Sequence, residues 1–267
     1  MAAWRAPVGR RTFSDAAVTV ALTVRAVFRL ALRQTEGLVA SVLRLLGLDL
    51  PVPDHTTLSR RGRTLRLDRR VVARGRLDMA IDSTGLRVAR PRGAGCEGWR
   101  KLHIAVDPDT GTIMAEELTR SGVHDSVPVP ALLGRIDRDL GRVCGDGAYA
   151  GAPAHRAVGG RRQALPNAKG VFRPKASDVR VAATLDPLTG RGRQARQVAC
   201  AGRAAWERAT GYGRRNATEW TFSRLKRVLG SGLRSRGLGA QRAEAGIAVR
   251  ALNRMAMLGM PRAERIT

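Results

Sequence analysis

Three consecutive strand-like segments constrain the fold of this chain more than any other feature. They begin at Leu77 and read LDMAIDSTGLRV, RKLHIAVD and TIMAEELT in this order. Short apolar runs rich in β-forming residues predict strands, and the stretch Asp107-Pro-Asp-Thr-Gly between the second and third runs is typical of a turn. The three strands are therefore expected to form an antiparallel meander.

The segments after this meander alternate between helix and strand. A helix is expected from about Asp125 or Ser126, followed by the short strand RVCGD and a helical segment after Tyr149. Consecutive strands followed by alternating helices and strands predict an α/β fold, in which helices cover the faces of a mixed sheet.

The C-terminal third gives a less regular pattern. Residues 172–205 are rich in Gly, Arg, Thr and Pro and show no clear period, so this segment is expected to be an irregular insertion. A final amphipathic helix is predicted from about Ala240 to Leu258. The stripe expected to be buried consists of Ile247, Ala251, Met255 and Leu258.

Residues 1–76 differ from the rest of the chain because they predict only helices and a linker. Ser14 and Asp54 are suited to cap the first and third helices, and a second helix is expected from about Leu32 to Leu46. This part of the chain is therefore expected to form a small all-helical domain ahead of a main domain at residues 77–267.

The third of these short helices leads into a strongly basic run. The run includes Arg60, Arg61 and Arg63, and eight arginines but only one aspartate lie between Arg60 and Arg76. A small helical unit that ends in a basic helix resembles a helix-turn-helix module, which predicts contact with DNA. A plain helical cap on the main domain is the alternative interpretation.

The charge of the whole chain also points to an anionic partner. The formal net charge is +26, from 48 basic and 22 acidic side chains, and nucleic acid is the commonest soluble polyanion. No run of eighteen apolar residues and no secretory signal is present, so a soluble, cytoplasmic protein without membrane contact is expected. The three widely spaced cysteines predict neither a disulfide framework nor a zinc site.

Two aspartates stand where an apolar strand ends. Asp82 follows MAI, and Asp146 follows RVCG and is flanked by glycine on both sides. A carboxylate at the end of a buried strand is costly unless it is paired or binds a metal, and flanking glycines let a ligand approach. Both are therefore candidate site residues, although a turn or helix cap is the alternative role for each.

A third carboxylate lies in the stretch GYGRRNATEWTFSRLKR. If the whole stretch is helical, Tyr212, Arg215, Glu219 and Lys226 fall within an arc of about 60° on one face. A surface salt-bridge face explains Arg215 with Glu219 but leaves the tyrosine and the lysine without a role. Glu207 is a rival third carboxylate, but its neighbourhood has no matched face.

Two tryptophans are a further point where alternatives remain. Trp99 and Trp220 are expected to pack in the core, and stacking on a flipped base is the alternative.

The order of these motifs resembles that of DDE transposases of the bacterial insertion sequence five family, within the ribonuclease H-like superfamily. The segments that carry the resemblance are FSDAAV, LRQTEGLVASVLRLLGL, PVPDHTTLSRR, DSTGLRV, GWRKLHIAVD and DGAY, followed by the spacing Tyr212-x2-Arg215-x3-Glu219-x6-Lys226. The resemblance covers most of the chain and implies a ribonuclease H-like α/β fold behind the helical region.

The resemblance also implies roles for individual residues. It assigns Asp82, Asp146 and Glu219 as catalytic ligands of two Mg²⁺ ions, which Mn²⁺ can replace, and Tyr212, Arg215 and Lys226 as contacts to DNA. It implies a transposase that acts as a homo-oligomer on double-stranded DNA, at terminal inverted repeats and at a target, in the bacterial nucleoid. A decayed, DNA-binding derivative and a nuclease on the same fold are the alternatives.

Overall fold

The structure is a computed structural model that describes residues 13–65, 67, 75–89, 98–137, 139–164 and 169–259. Most of the predicted basic linker therefore lies outside the described residues. None of the helices described is long and apolar enough to cross a membrane. The helices are α1 (Asp15–Val27), α2 (Leu32–Leu45), α3 (His55–Arg61), α4 (Val129–Gly134), α5 (Ala152–Ala164), α6 (Ala176–Arg180), α7 (Gly190–Ala201), α8 (Arg203–Thr210), α9 (Ala217–Leu229) and α10 (Leu238–Leu258). The strands are β1 (Leu77–Val88), β2 (Trp99–Val106), β3 (Ile113–Arg120), β4 (Leu140–Gly145), β5 (Lys169–Phe172) and β6 (Gly232–Leu233).

The strands form one mixed sheet in the order β3-β2-β1-β4-β5, and β6 adds to the far end of β1. The pairs β1 with β2 and β2 with β3 are antiparallel, as the sequence predicts for the meander. The pairs β1 with β4 and β4 with β5 are parallel. A parallel pair needs a crossover connection, which the helix-containing segments between the strands supply.

The side chains of β1 alternate between the two faces of the sheet. Met79 and Ile81 enter the core formed with α4 and α5, whereas Leu86 enters the core formed with α9 and α10. A strand buried on both faces explains why LDMAIDSTGLRV is apolar along much of its length. The expected α/β class, with a central mixed sheet, flanking helices and a helical N-terminal region, is confirmed and is consistent with a ribonuclease H-like fold.

The N-terminal helices pack on the C-terminal helix. Val18 and Leu22 of α1 and Leu58 of α3 share a buried cluster with Ile247 of α10. Ser14 and Asp54 cap α1 and α3 as predicted, since their side chains accept the backbone N–H of Ala17 and Thr57. The division at residue 76 into two domains stays a prediction.

Two local expectations are wrong. Residues 172–205 are not irregular, because α6, α7 and the beginning of α8 lie within them. On α10, Ile247 and Ala251 are buried as expected, but Met255 and Leu258 are exposed. The buried positions of this helix end at Leu252, so its last turns extend past the core.

Candidate active site

The sheet brings Asp82 and Asp146 together. In the parallel pair of β1 and β4, Ala80 lies opposite Cys144, and both aspartates lie two residues further along. The pKa of Asp82 is raised, chiefly by burial and also by the negative charge of Asp146. A hydrogen bond from the Ser83 N–H and the charge of Arg215 oppose this rise without cancelling it. The charge of Asp146 thus acts on Asp82 across the two neighbouring strands.

Close packing at the end of β4 explains Gly145, the glycine before Asp146. A Cβ atom on Gly145 would lie 3.0 Å from both Ile81 Cγ1 and Tyr149 Cβ, so the strand end packs too closely for a side chain. Asp146 Oδ1 accepts the backbone N–H of Ala148 at 2.9 Å. One oxygen of Asp146 thus stabilises the turn, as the alternative role of a turn residue implies, while its negative charge acts on Asp82.

Arg215 joins the first and third predicted carboxylates. Its Nη1 lies 2.6 Å from Asp82 Oδ2, and its Nη2 lies 3.0 Å from Glu219 Oε1. The side chains of Arg215 and Asp82 are only 15% and 17% exposed. Burial lowers the pKa of Arg215, but Asp82 first and then Tyr212, Glu219 and Asp146 outweigh it, so that the pKa is raised. The guanidinium is therefore the positive centre of this cluster of negative charges.

Helix α9 carries Glu219 in its first turn and packs on the sheet beside Asp82. Phe222 and Leu225 bury one side of the helix in the core. Thr218, which is fully buried, places its hydroxyl 3.1 Å from Asp82 Oδ2 and 2.8 Å from the carbonyl oxygen of Arg215. Sequence reasoning missed Thr218, and its only signal was its position beside Glu219.

The predicted common face of Tyr212, Arg215, Glu219 and Lys226 is wrong for the tyrosine. Gly211, at φ +68°, ends α8, and residues 212–216 form a 3₁₀ turn ahead of α9. With three residues per turn and a change of helix type, the α-helical arc does not apply. Tyr212 is buried against Trp206, and Lys226 is exposed on the same helix as Glu219.

The far end of α9 is held by the N-terminal helical region. The guanidinium of Arg29, which follows α1, donates to the carbonyl oxygens of Lys226 and Val228 at 3.4 Å, and also to that of Arg227. These carbonyls belong to the last turn of α9, where a cation also interacts favourably with the helix dipole. Sequence analysis gave no signal for this contact, because it joins residues about 200 positions apart.

A buried polar network supports the opposite face of β1. His103 on β2 lies 3.1 Å from the Tyr149 hydroxyl through Nδ1 and 3.0 Å from the Thr119 hydroxyl through Nε2. Burial lowers the pKa of His103 to about 4, so the imidazole is neutral near pH 7. Burial raises the pKa of Tyr149, and a hydrogen bond with the Ser83 side chain opposes this shift. The network thus ends at the residue next to Asp82.

The predicted DNA contacts and tryptophans are placed as follows. Arg60 and Arg63 are exposed, whereas Arg61 pairs with Asp15 and donates to the Phe13 carbonyl oxygen, so that it ties α3 to the start of α1. DNA contact by these arginines stays a prediction.

Trp99 and Trp220 are both exposed, so the expected core packing is wrong. The rival carboxylate of Glu207 pairs with Arg203 on its own helix.

The donor set fits a divalent cation only in part. Asp82 and Asp146 offer carboxylate oxygens from two neighbouring strands, and such oxygens are the ligands that Mg²⁺ and Mn²⁺ prefer. Among the residues described, no three His, Cys, Asp or Glu side chains are grouped to hold a metal. The reason is visible at Glu219, whose carboxylate is 59% exposed and is bound to Arg215 rather than placed with the other two.

Two family models match this chain. A family model described as Transposase DDE domain matches residues 73–254, which include the sheet and all three carboxylates. A second model with the same description matches residues 4–90, from the N-terminal helices into β1. Because the first match alone covers more than half of the 267 residues, the chain belongs to the DDE transposase domain family.

Proposed function

We propose that this protein is a transposase of the insertion sequence five type, which cleaves the DNA at the ends of its element and joins them to a target. The observation that carries the proposal is that Asp82, within β1, and Asp146, just after β4, lie on adjacent parallel strands, while Arg215 pairs with both Asp82 and Glu219. Family membership supports the reaction type, and the spacing from Tyr212 to Lys226 supports the finer group.

In this mechanism the chain's own groups hold the cofactor and the scissile phosphate. Asp82 and Asp146 would hold Mg²⁺, or Mn²⁺ in its place, and Glu219 is the third ligand that the family resemblance assigns. Two such ions, when bound, favour ionisation of water and stabilise charge on the attacking and leaving oxygens. Arg215 donates two parallel hydrogen bonds to a phosphate, and Lys226 adds a point charge. Once Arg215 turns to a phosphate, the Glu219 carboxylate is released.

The reaction has two steps, hydrolysis and strand transfer. Water attacks the phosphorus at the end of the element, the bond from phosphorus to the 3′-oxygen breaks, and this oxygen takes up a proton. The freed 3′-hydroxyl then loses its proton and attacks a phosphorus of the target, and the displaced 3′-oxygen of the target takes up a proton. No covalent intermediate with the protein forms, because water and then the freed 3′-hydroxyl are the attacking groups.

The partner and the setting belong to the same proposal. The net charge of +26 supports binding to double-stranded DNA, at terminal inverted repeats and at a target. We place the protein on the nucleoid in the bacterial cytoplasm, where it acts as a homo-oligomer on DNA.

One observation favours a second candidate function. Arg215 occupies both Asp82 and Glu219, and the third carboxylate stands apart from the first two. A transposase derivative that binds DNA without cleaving it would not need the three carboxylates to meet at one metal site. Cleavage by the purified protein therefore decides between the two functions.

The test compares three charge-removing variants with a matched control. Asp82→Asn, Asp146→Asn and Glu219→Gln should each abolish Mg²⁺-dependent cleavage of a duplex that carries the element's own terminal repeat. Asp109→Asn removes the same charge at an exposed site, where the carboxylate pairs with Arg214. Since an exposed pair contributes little, this control should cleave at nearly the wild-type rate.

Each outcome assigns a function. Cleavage that persists in one variant removes that residue from the site. If the wild-type protein binds its terminal repeat but cleaves nothing with Mg²⁺ or Mn²⁺, the DNA-binding derivative is the correct reading. If it cleaves but never joins the freed end to a target, it is a nuclease on this fold.

A further inference from the structure

An arginine-lined groove lies between the N-terminal helices and the beginning of α10, and Asp82, Asp146 and Glu219 are not among its lining residues. Its volume is about 850 Å³, and it is bounded by α1, the start of α2, α3 and residues 234–237. We call this cavity the arginine groove. The arginines that line it are Arg25, Arg33, Arg63, Arg234 and Arg236.

The positive charge of the arginine groove is not neutralised by its own lining. Glu244 is the only acidic side chain among the described lining residues. Its two carboxylate oxygens accept the backbone N–H groups of Arg234 and Ser235 at 2.9 and 2.8 Å. The carboxylate therefore fixes the backbone of one wall, and four more guanidinium charges than carboxylate charges remain.

Arg25 shows the same imbalance within the groove wall. Its Nε atom is buried and has no hydrogen-bond partner among the described residues. Burial lowers the pKa of Arg25, Glu244 opposes this shift, and the positive charge of Arg234 adds to it. A partly buried guanidinium with a second guanidinium nearby is stabilised when an anion enters.

The groove also contains the beginning of a long helix. α10 starts at Leu238 after Gly237, and no side chain caps it. Gly237 and Ala240 both line the groove. The partial positive charge at the N-terminus of a helix favours phosphate groups, so the helix dipole acts in the same direction as the arginines.

We propose that the arginine groove binds the sugar-phosphate backbone of duplex DNA, as a site separate from the three carboxylates. Ala89, which also lines the groove, follows Asp82 by seven residues along and just past β1, or about 23 Å at the rise of an extended strand. A straight duplex spans a distance of this length in about seven base pairs, so one duplex is long enough to contact both the groove and the site of Asp82. This assignment to the cleaved duplex rests on the proposed function, whereas the phosphate site itself does not.

The test replaces two exposed arginines of the groove. The double variant Arg33→Gln with Arg236→Gln is compared with Arg180→Gln with Arg208→Gln, which removes two equally exposed arginines outside the groove. Binding to a duplex of 30 base pairs is measured over a range of salt concentrations. The groove variant should lose about tenfold in affinity near 0.1 M salt, and its log–log salt slope should fall by about 2.

Other measurements identify the ligand and guard against misfolding. Inorganic phosphate should raise the melting temperature of the wild-type protein less than the duplex does. An equal rise would indicate a site for small anions and would overturn the proposal. If the double variant does not fold, Arg236→Gln alone should still weaken duplex binding by about threefold. Equal losses in groove and control variants also overturn it. Because no readout needs cleavage, loss of binding in the groove variant stands even if the triad variants refute the transposase.

Within the transposase, interference mapping locates the site on the substrate. Ethylation of phosphates about seven base pairs from the cleavage position should weaken wild-type binding and have no effect on the groove variant. The same interference pattern in both proteins would place these phosphates elsewhere and overturn the assignment to the cleaved duplex.

Discussion

Replacing Arg215 by glutamine should make the DNA-free protein bind Mn²⁺ more tightly. In the wild-type protein a cation that binds Asp82 must first break the 2.6 Å ion pair with Arg215, whose side chains are largely buried. It must also free Glu219 from the same guanidinium. Removal of the guanidinium removes this competitor and its repulsion of the metal, while Asp82 and Asp146 remain as ligands.

The size of the effect follows from the two contacts. A hydrogen bond between charged groups contributes about 1.5–3 kcal/mol, which applies to the well-shielded pair with Asp82. The pair with Glu219 is mostly exposed and contributes only about 0.3–0.5 kcal/mol, as exposed pairs four residues apart do. Since about 1.4 kcal/mol corresponds to a tenfold change in a binding constant, Mn²⁺ affinity should rise about tenfold or more.

The assay follows free Mn²⁺ by electron paramagnetic resonance while the protein is titrated. Arg214→Gln is the matched control, because it removes the same charge from the neighbouring residue, which pairs with Asp109 at 2.6 Å instead. The control should bind Mn²⁺ as the wild type does, and adding Asp82→Asn to the Arg215 variant should abolish the gain. Equal Mn²⁺ affinities for the Arg215 and Arg214 variants would refute the reasoning.

Three further predictions test other parts of the structure. Between pH 6.5 and about 4 His103 is protonated in the unfolded chain but not in the folded protein. The free energy of unfolding should therefore decrease by up to about 3 kcal/mol as the pH is lowered through this range. Urea unfolding should show that His103→Gln flattens this dependence, and an unchanged slope would contradict it. Arg29→Met should lower the free energy of unfolding by about 1 kcal/mol, through loss of the cation at the end of α9, and an unchanged value in urea would count against that contact. Trp220, which is 72% exposed, should tolerate Trp220→Ala without loss of melting temperature, while affinity for single-stranded DNA falls by about tenfold; a loss of stability would instead indicate a packing role.

The sheet and two of its site residues were predictable because their signals are local. The meander is encoded by a short apolar period and a turn at Asp107, which do not depend on distant contacts. Asp82 and Asp146 stand out because each carboxylate follows an apolar segment of a predicted strand. The expected strand end is wrong for Asp82, because β1 continues to Val88, whereas Asp146 directly follows β4. Because β1 and β4 are adjacent and parallel, the residues two positions beyond the paired Ala80 and Cys144 come together.

The helices between residues 172 and 205 were not predictable from periodicity. α7 contains little apolar sequence, and contacts with other elements hold it in place. Arg191 forms two hydrogen bonds with the buried Asp178 on α6, at 2.6 and 2.9 Å. Gln194 pairs with the backbone of β5 by accepting the Phe172 N–H at 3.1 Å. Polar contacts of this kind leave no pattern in a sequence.

The position of Arg215 between the carboxylates depends on the same long-range assembly. The spacing of Arg215 and Glu219 predicts their contact within a helix, but only the packing of α9 against the sheet brings Asp82 to the other side of the guanidinium. Asp82 and Asp146 repel each other in the absence of a cation, and the positive charge of Arg215 offsets that repulsion. The contact that stabilises the metal-free protein must therefore break before a metal can use all three carboxylates. A DNA phosphate is the natural competitor for the guanidinium, so metal binding and DNA binding at this site should favour each other.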